Sequence, residues 1–126
     1  MPICIKFYKD QDYIQKTETG EIDCGKAIYT IYELAAAAES YKDYSILMDV
    51  RGAASQLSSM GDLLKLSTEF AKYTDVFTNK IAMLLPDIQE RVERTDRFKA
   101  CMVVNGLAFH YFTGDDDAMA WLSEES

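Results

Sequence analysis

The chain has 126 residues, 48% of them hydrophobic and 27% charged, which suits one globular domain, residues 1–126, with a core large enough to need no staples. Thirteen Lys and Arg against 21 Asp and Glu give a net charge of -8, which excludes recognition of nucleic acid or an anionic membrane surface through bulk charge. Cys4, Cys24 and Cys101 are far apart and form no CxxC pair, so neither a disulfide framework nor a zinc site is indicated.

Ile3, Ile5 and Phe7 alternate with Cys4, Lys6 and Tyr8, the period-two pattern of a strand with one buried face. Lys9-Asp10-Gln11-Asp12 reads as a polar turn, and residues 13–19 as a second, more polar strand, hairpinned to the first near a sheet edge. Gly20 ends that strand, and Asp23 is a reasonable N-cap. Ala27, Ile28, Ile31, Leu34, Ala35 and Ala38 then recur at helical spacing, predicting a helix from about Gly25 to Tyr41.

The stretch at 44–52 is the centre of the pattern. Ile46-Leu47-Met48 runs into Asp49 and then Val50, and Arg51-Gly52 closes it as a turn. A short apolar run bounded by turn signals fits a strand buried on both faces, as in a parallel sheet. Residues 52–59 are small and polar and read as a loop. Ser59, with Asp62 three residues on, starts a helix that Leu63, Leu66 and Phe70 carry to about Val76. Ile81 to Leu85 is a second buried strand stopped by Pro86.

Asp87, with Glu90 three residues on, caps the next helix, whose apolar side is Ile88, Val92, Phe98, Cys101 and Met102, with Thr95-Asp96 as a point of division. Asn105-Gly106 stops it. The aromatic-rich stretch 107–113 reads as the last strand, and Gly114-Asp115-Asp116-Asp117 opens a final helix with Ala118, Trp121 and Leu122 inward. The order β-β-α-β-α-β-α-β-α predicts an α/β fold with a mostly parallel sheet, an N-terminal hairpin and flanking helices.

No apolar run reaches the roughly 18 residues of a membrane span, and the opening Met-Pro-Ile-Cys-Ile-Lys has no signal-peptide pattern, so a cytoplasmic protein is expected. Asp49 lies where open α/β sheets place ligands, at the carboxyl end of a strand. It can bind metal, accept a phosphoryl group, or pair with Arg51. A phosphoacceptor domain also needs an acidic pair at the end of its first strand to hold magnesium; Asp10 and Asp12 fall instead in a hairpin turn. Asp115, Asp116 and Asp117 suit a helix start, and His110 has no Cys or Ser partner in a catalytic pattern. Ser55, Ser58 and Ser59 precede a helix N-terminus, a position that favours anions or accepts a phosphate. No catalytic residue, cofactor or metal site is indicated.

The succession Ile46-Leu47-Met48-Asp49-Val50-Arg51-Gly52, Lys80-Ile81-Ala82-Met83-Leu84 and Tyr111-Phe112-Thr113-Gly114-Asp115 with Ala118-Met119-Ala120-Trp121-Leu122 resembles the SpoIIAA-like proteins. That bacterial family is grouped with STAS domains and with the CRAL-TRIO lipid-transfer fold. The resemblance covers roughly residues 12 to 123 and implies a small α/β module, mostly without assigned activity. STAS relatives that antagonise anti-sigma factors carry Asp-Ser-Ser-Gly after the central strand, with a switched serine; here Asp49-Val50-Arg51-Gly52 puts Arg51 in its place. The expectation is a non-enzymatic binding or regulatory module that engages a protein partner or small ligand through Asp49, Arg51, Ser55, Ser58 and Ser59. A carrier of a small apolar, lipid-like ligand between the helix at 60–77 and the sheet is the alternative. A magnesium-dependent phosphoacceptor using Asp49 is third, and a homodimer is left open.

Overall fold

A computed structural model describes the backbone of residues 3–8, 11–41, 43–55 and 59–124, and the side chains of residues 13–41, 43–54 and 59–124. The elements are β1 (Ile3–Tyr8), β2 (Gln11–Ile22), α1 (Cys24–Ser40), β3 (Ser45–Ser55), α2 (Met60–Ala71), β4 (Ile81–Leu84), α3 (Gln89–Val104), β5 (Phe109–Phe112) and α4 (Asp115–Ser123). The predicted order holds throughout. The five strands lie side by side in chain order; β1 and β2 are antiparallel, and every later pair is parallel.

Because each crossover advances the sheet in one direction, crossovers of one hand set α1, α2 and α3 on the same face. Their buried residues Ile31, Leu34, Leu63, Leu66, Phe70, Phe98 and Met102 form one cluster with Ile14, Ile46, Met48 and Ile81 of the strands. On the opposite face α4 packs Ala118, Met119 and Leu122 against Tyr13, Leu47, Ala82 and Leu84. The run 46–48 is therefore buried from both sides, as its unbroken apolar character requires. Burying a Leu or Ile completely contributes roughly 1.5–3 kcal/mol, and Leu34, Ile81 and Leu84 have no exposed surface.

Local chemistry sets the helix ends. Asp23 Oδ1 accepts from the Lys26 amide at 2.8 Å and Ser59 Oγ from the Asp62 amide at 3.1 Å, the caps expected of them. Asp87 does not cap α3. Ile88 holds the cap position without a side-chain bond, and Pro86 O accepts from its amide. Nor does Thr95-Asp96 divide α3, because Thr95 Oγ1 donates back to Arg91 O at 2.8 Å and stays within the helical ladder. The second helix is shorter than expected: α2 stops at Ala71, turns follow, and Phe77 still reaches the core.

Strand lengths differ most. Gln11 and Asp12, expected in the turn, already pair with Tyr8 and Phe7, while Lys9 and Asp10 lie outside the described residues. Gly20 does not end β2, nor Gly52 β3: Thr19 to Ile22 pair with Gly52 to Ser55. Between Thr17–Asp49 and Thr19–Gly52 the register slips by one, so β3 carries an extra residue, a bulge. Gly20 takes φ +74 inside the strand, a conformation open to glycine and strained for other residues. Gln56, Leu57 and Ser58 of the expected loop lie outside the described residues.

Gly20 and Gly25 make a matched pair. An added Cβ at Gly20 meets nothing within 4 Å, so Gly20→Ala bears only the strain of the left-handed backbone and should cost about 1–2 kcal/mol. Gly25 lies in the first turn of α1, where an added methyl group meets only Asp23 Oδ1, at 3.6 Å, and Gly25→Ala should stabilise by about 0.5 kcal/mol. Urea denaturation of both variants gives the two signs.

Candidate functional site

Alternation along a strand and the 3.6-residue turn of a helix decide which side chains face inward. On β2, Ile14 is buried in the core, and the same face then presents Lys16 and Glu18. On β3 it presents Ile46, Met48 and Val50. On α3 the inward stripe that ends in Phe98 and Met102 begins, at spacings of three and four, with Arg91, Arg94 and Thr95. Charged side chains thus occupy core-facing positions of two elements that meet across the same space.

That space is a half-enclosed cavity of about 110 Å³ between the sheet and the three helices. Its walls are largely apolar: Ile22, Met48, Val50 and Met83 from the strands, Ala27 and Ile31 from α1, Leu63, Leu66 and Phe70 from α2, and Phe98 from α3. Its polar lining is Lys16, Glu18, Thr30, Arg91, Arg94 and Thr95.

The β2 charges are closely paired. Lys16 Nζ lies 3.2 Å from Glu33 Oε1 and 3.7 Å from Glu18 Oε1. Thr30 Oγ1 donates to Glu18 Oε1 at 2.5 Å, and Lys26 Nζ is 3.8 Å from the other Glu18 oxygen. The α3 charges are less complete. Arg91 Nη1 donates to Ala53 O at 2.9 Å. Burial, and then the neighbouring Arg94 charge, hold its pKa below the usual arginine value. Arg94 Nη2 donates to the exposed Glu90 at 2.8 Å, while its Nη1 is buried without a hydrogen-bond partner among the described residues.

The expected rim residues lie elsewhere. Asp49 and Arg51 share the opposite face of β3 from the cavity and form a closed ion cluster. Arg51 Nε and its own amide donate to Asp49 Oδ1, at 3.0 and 3.1 Å, and Nη2 donates to Oδ2 at 2.8 Å. The same guanidinium donates from Nη1 and Nη2 to the two oxygens of Asp115, at 3.1 and 3.0 Å. Asp49 is mid-strand rather than at a strand end, although its pairing with Leu84 is the last rung between β3 and β4. The hydrogen bonds from Arg51 hold the Asp49 carboxyl below the usual carboxylate range. Ser59 is an exposed cap of α2, Ser55 is the last residue of β3 with its side chain outside the described set, and Ser58 lies outside the described residues.

His110 stacks on Phe112 with ring centroids 4.7 Å apart and faces Trp121 edge-on. Its Nδ1 accepts from the Tyr111 amide, and burial, then the Lys99 charge, keep its pKa below the ordinary histidine value. No three His, Cys, Asp or Glu side chains among the described residues converge as a metal site would need. Sequence reasoning missed Lys16, Glu18, Arg91 and Arg94. The signal for them was their spacing from Ile14 on the strand and from Phe98 on the helix.

Among solved structures, the fold is similar to that of an uncharacterised DUF3478-family protein with a SpoIIAA-like fold from Shewanella loihica PV-4. The TM-score is 0.60 at 21% identity, over 96% of this chain and 92% of that one. The chain therefore has the SpoIIAA-like fold that its sequence resembles. No protein-family model and no curated protein matches it.

Removing the Arg51 guanidinium leaves Asp49 half-buried beside Asp115. Arg51→Met should cost roughly 1–2 kcal/mol near neutral pH, from the Asp49 bonds far more than from the exposed Asp115. The folded pKa of Asp49 is lowered, so its contribution is complete above the ordinary value of 3.8 and is lost as pH falls below it. Urea titrations of both proteins should show the stability gap narrowing on acidification below about pH 4.

Proposed function

We propose that the protein is a binding module for a small ligand with an apolar body, held in the cavity between α2 and the inner face of the sheet. The supporting observation is the cavity itself. It is half-enclosed, with largely apolar walls, and is continuous with the buried core between the helices and the sheet. A cavity of about 150 Å³ lined by Leu, Ile and Phe admits benzene. At about 110 Å³ this one suits a body of ring size or a short branched chain, and a long acyl chain needs more room.

The carrier reading is preferred to a partner surface at Asp49, Arg51, Ser55, Ser58 and Ser59 for one physical reason. Four of the five N–H donors of the Arg51 guanidinium go to Asp49 and Asp115, so a partner finds one Nη1 hydrogen there and gains more only by breaking bonds within the fold. The same occupancy bears on phosphoryl acceptance, since both oxygens of Asp49 are engaged by Arg51. No helix among the described residues is long and apolar enough to cross a membrane.

Toluene tests the cavity directly. In differential scanning calorimetry of the full chain, toluene well above its Kd should raise Tm by about 3 °C or more. Ala27→Leu, which places extra methyl groups at the cavity wall, should fold and lose most of that rise. A wild-type Tm that toluene leaves unchanged overturns the proposal.

A further inference from the structure

We infer that the ligand carries an anionic oxygen head group, a carboxylate or phosphate, held by Arg91 and Arg94 on the α3 wall of the cavity. The inference rests on the cavity being a ligand site and names the chemistry that site selects. The two arginines stand one helical turn apart on the stripe of α3 that faces the sheet, and both line the cavity.

Their charge is incompletely answered within the protein. Arg91 has a backbone carbonyl, Ala53 O, and no carboxylate within ion-pair distance among the described residues. Arg94 has Glu90 on its outer side only, and its Nη1 is a buried donor with no acceptor among the described residues. The neighbouring carboxylates are committed: Glu18 to Thr30, Lys16 and Lys26, and Glu33 to Lys16. A buried unmet donor is costly, and two like charges one turn apart add to that cost. A water satisfies the hydrogen bond and leaves the charge unanswered. An anion on the planar guanidinium forks satisfies both. Met48, Leu66 and Phe70 across the cavity then receive the apolar body.

This arrangement departs from what packing alone selects. An apolar residue at 94 removes the buried donor and gives up only an ion pair to a largely exposed glutamate. Arg94 is thus a residue whose gain comes when the ligand is bound.

Isothermal titration of the full chain with benzoate, phenyl phosphate and benzyl alcohol tests this, because the three share a ring and differ in head group. At least one anion should bind about tenfold or more tightly than benzyl alcohol, and the tighter of the two identifies the head group as carboxylate or phosphate. Arg94→Met should bring that preference close to unity while leaving benzyl alcohol binding in place, and Arg94→Lys should retain part of it. Without ligand, Arg94→Met should melt no lower than the parent chain. Equal binding of all three probes overturns the inference and leaves the cavity reading standing, as does an anion preference that survives Arg94→Met. A lower melting point for unliganded Arg94→Met, with Arg94→Lys matching the parent in stability and in probe binding, assigns Arg94 a structural role and also overturns it. If none of the three probes binds while toluene still raises Tm, the inference fails and the cavity reading stands; if toluene also fails, the cavity reading fails with it.

Discussion

Lys16 lies on the inner face of β2 with 2% of its side chain exposed, and an ammonium taken out of water costs several kcal/mol unless it is paired. Its neighbours follow from that cost. Glu18, next on the same face of the strand, and Glu33, from α1 above, both approach it, and Thr30 completes the shell around Glu18. Such a cluster is poor evidence for stability, since well-packed apolar residues of similar volume commonly do as well or better. It fixes α1 over β2 in one register, because sliding the helix by a turn takes Glu33 and Thr30 away from their partners. It also prevents the inner face of β2 from closing as an ordinary apolar layer.

The two faces of the sheet are held by different forces. On the inner face, three helices share one continuous apolar cluster, interrupted where the charges of β2 and α3 meet. On the outer face α4 is the one helix among the described residues, and charge clamps both of its ends. Asp115 in its first turn is tied to Arg51 of β3. Carbonyls of its last turn, Trp121 O at 2.8 Å and Glu124 O, accept from Lys80 Nζ, which also lies 5.5 Å from the centre of the Trp121 ring. Both contacts run with the helix dipole, acid at the N-terminus and cation at the C-terminus. Asp49 and Arg51 share the outer face by strand alternation, and the bulge in β3 lets Val50 and Ala53, three residues apart, both reach the inner core.

Much of this is legible from periodicity. The apolar run at 46–48, the helical spacing of Ile31, Leu34 and Ala38, and the caps Asp23 and Ser59 locate their elements because each signal is local. Gly20 and Gly52 read as breaks because a glycine signals chain reversal and a glycine inside a bulged strand by the same letter. Asp49 and Arg51 can be paired from sequence, since residues two apart on a strand share a face, but Asp115 cannot, because only the packing of α4 brings it to Arg51. The cavity charges are hidden by a sound prior, that Lys, Glu and Arg sit in water. The prior fails where an amphipathic element's apolar face, extended by its own period, lands on a charge: Ile14 to Lys16 and Glu18, and Phe98 back to Arg94 and Arg91.

That failure also accounts for the cavity's position. From Phe98, itself part of the cavity wall, on to Met102 the stripe of α3 is buried, and Met102 has no exposed surface. One and two turns earlier the same stripe offers Thr95, Arg94 and Arg91, whose guanidinium groups cannot pack as hydrocarbon against Met48 and Val50 without losing their hydrogen bonds. The β2 strand opposite cannot fill the gap either, because its inward residues there are Lys16 and Glu18. The void and its charges therefore have a common origin in a few core-facing positions of β2 and α3. Replacing those positions with leucine or isoleucine fits the local period of both elements and favours closing the space. A cavity that persists through charged residues at buried positions carries its own chemical specification: an apolar interior, and a wall whose positive charge the protein leaves incompletely neutralised.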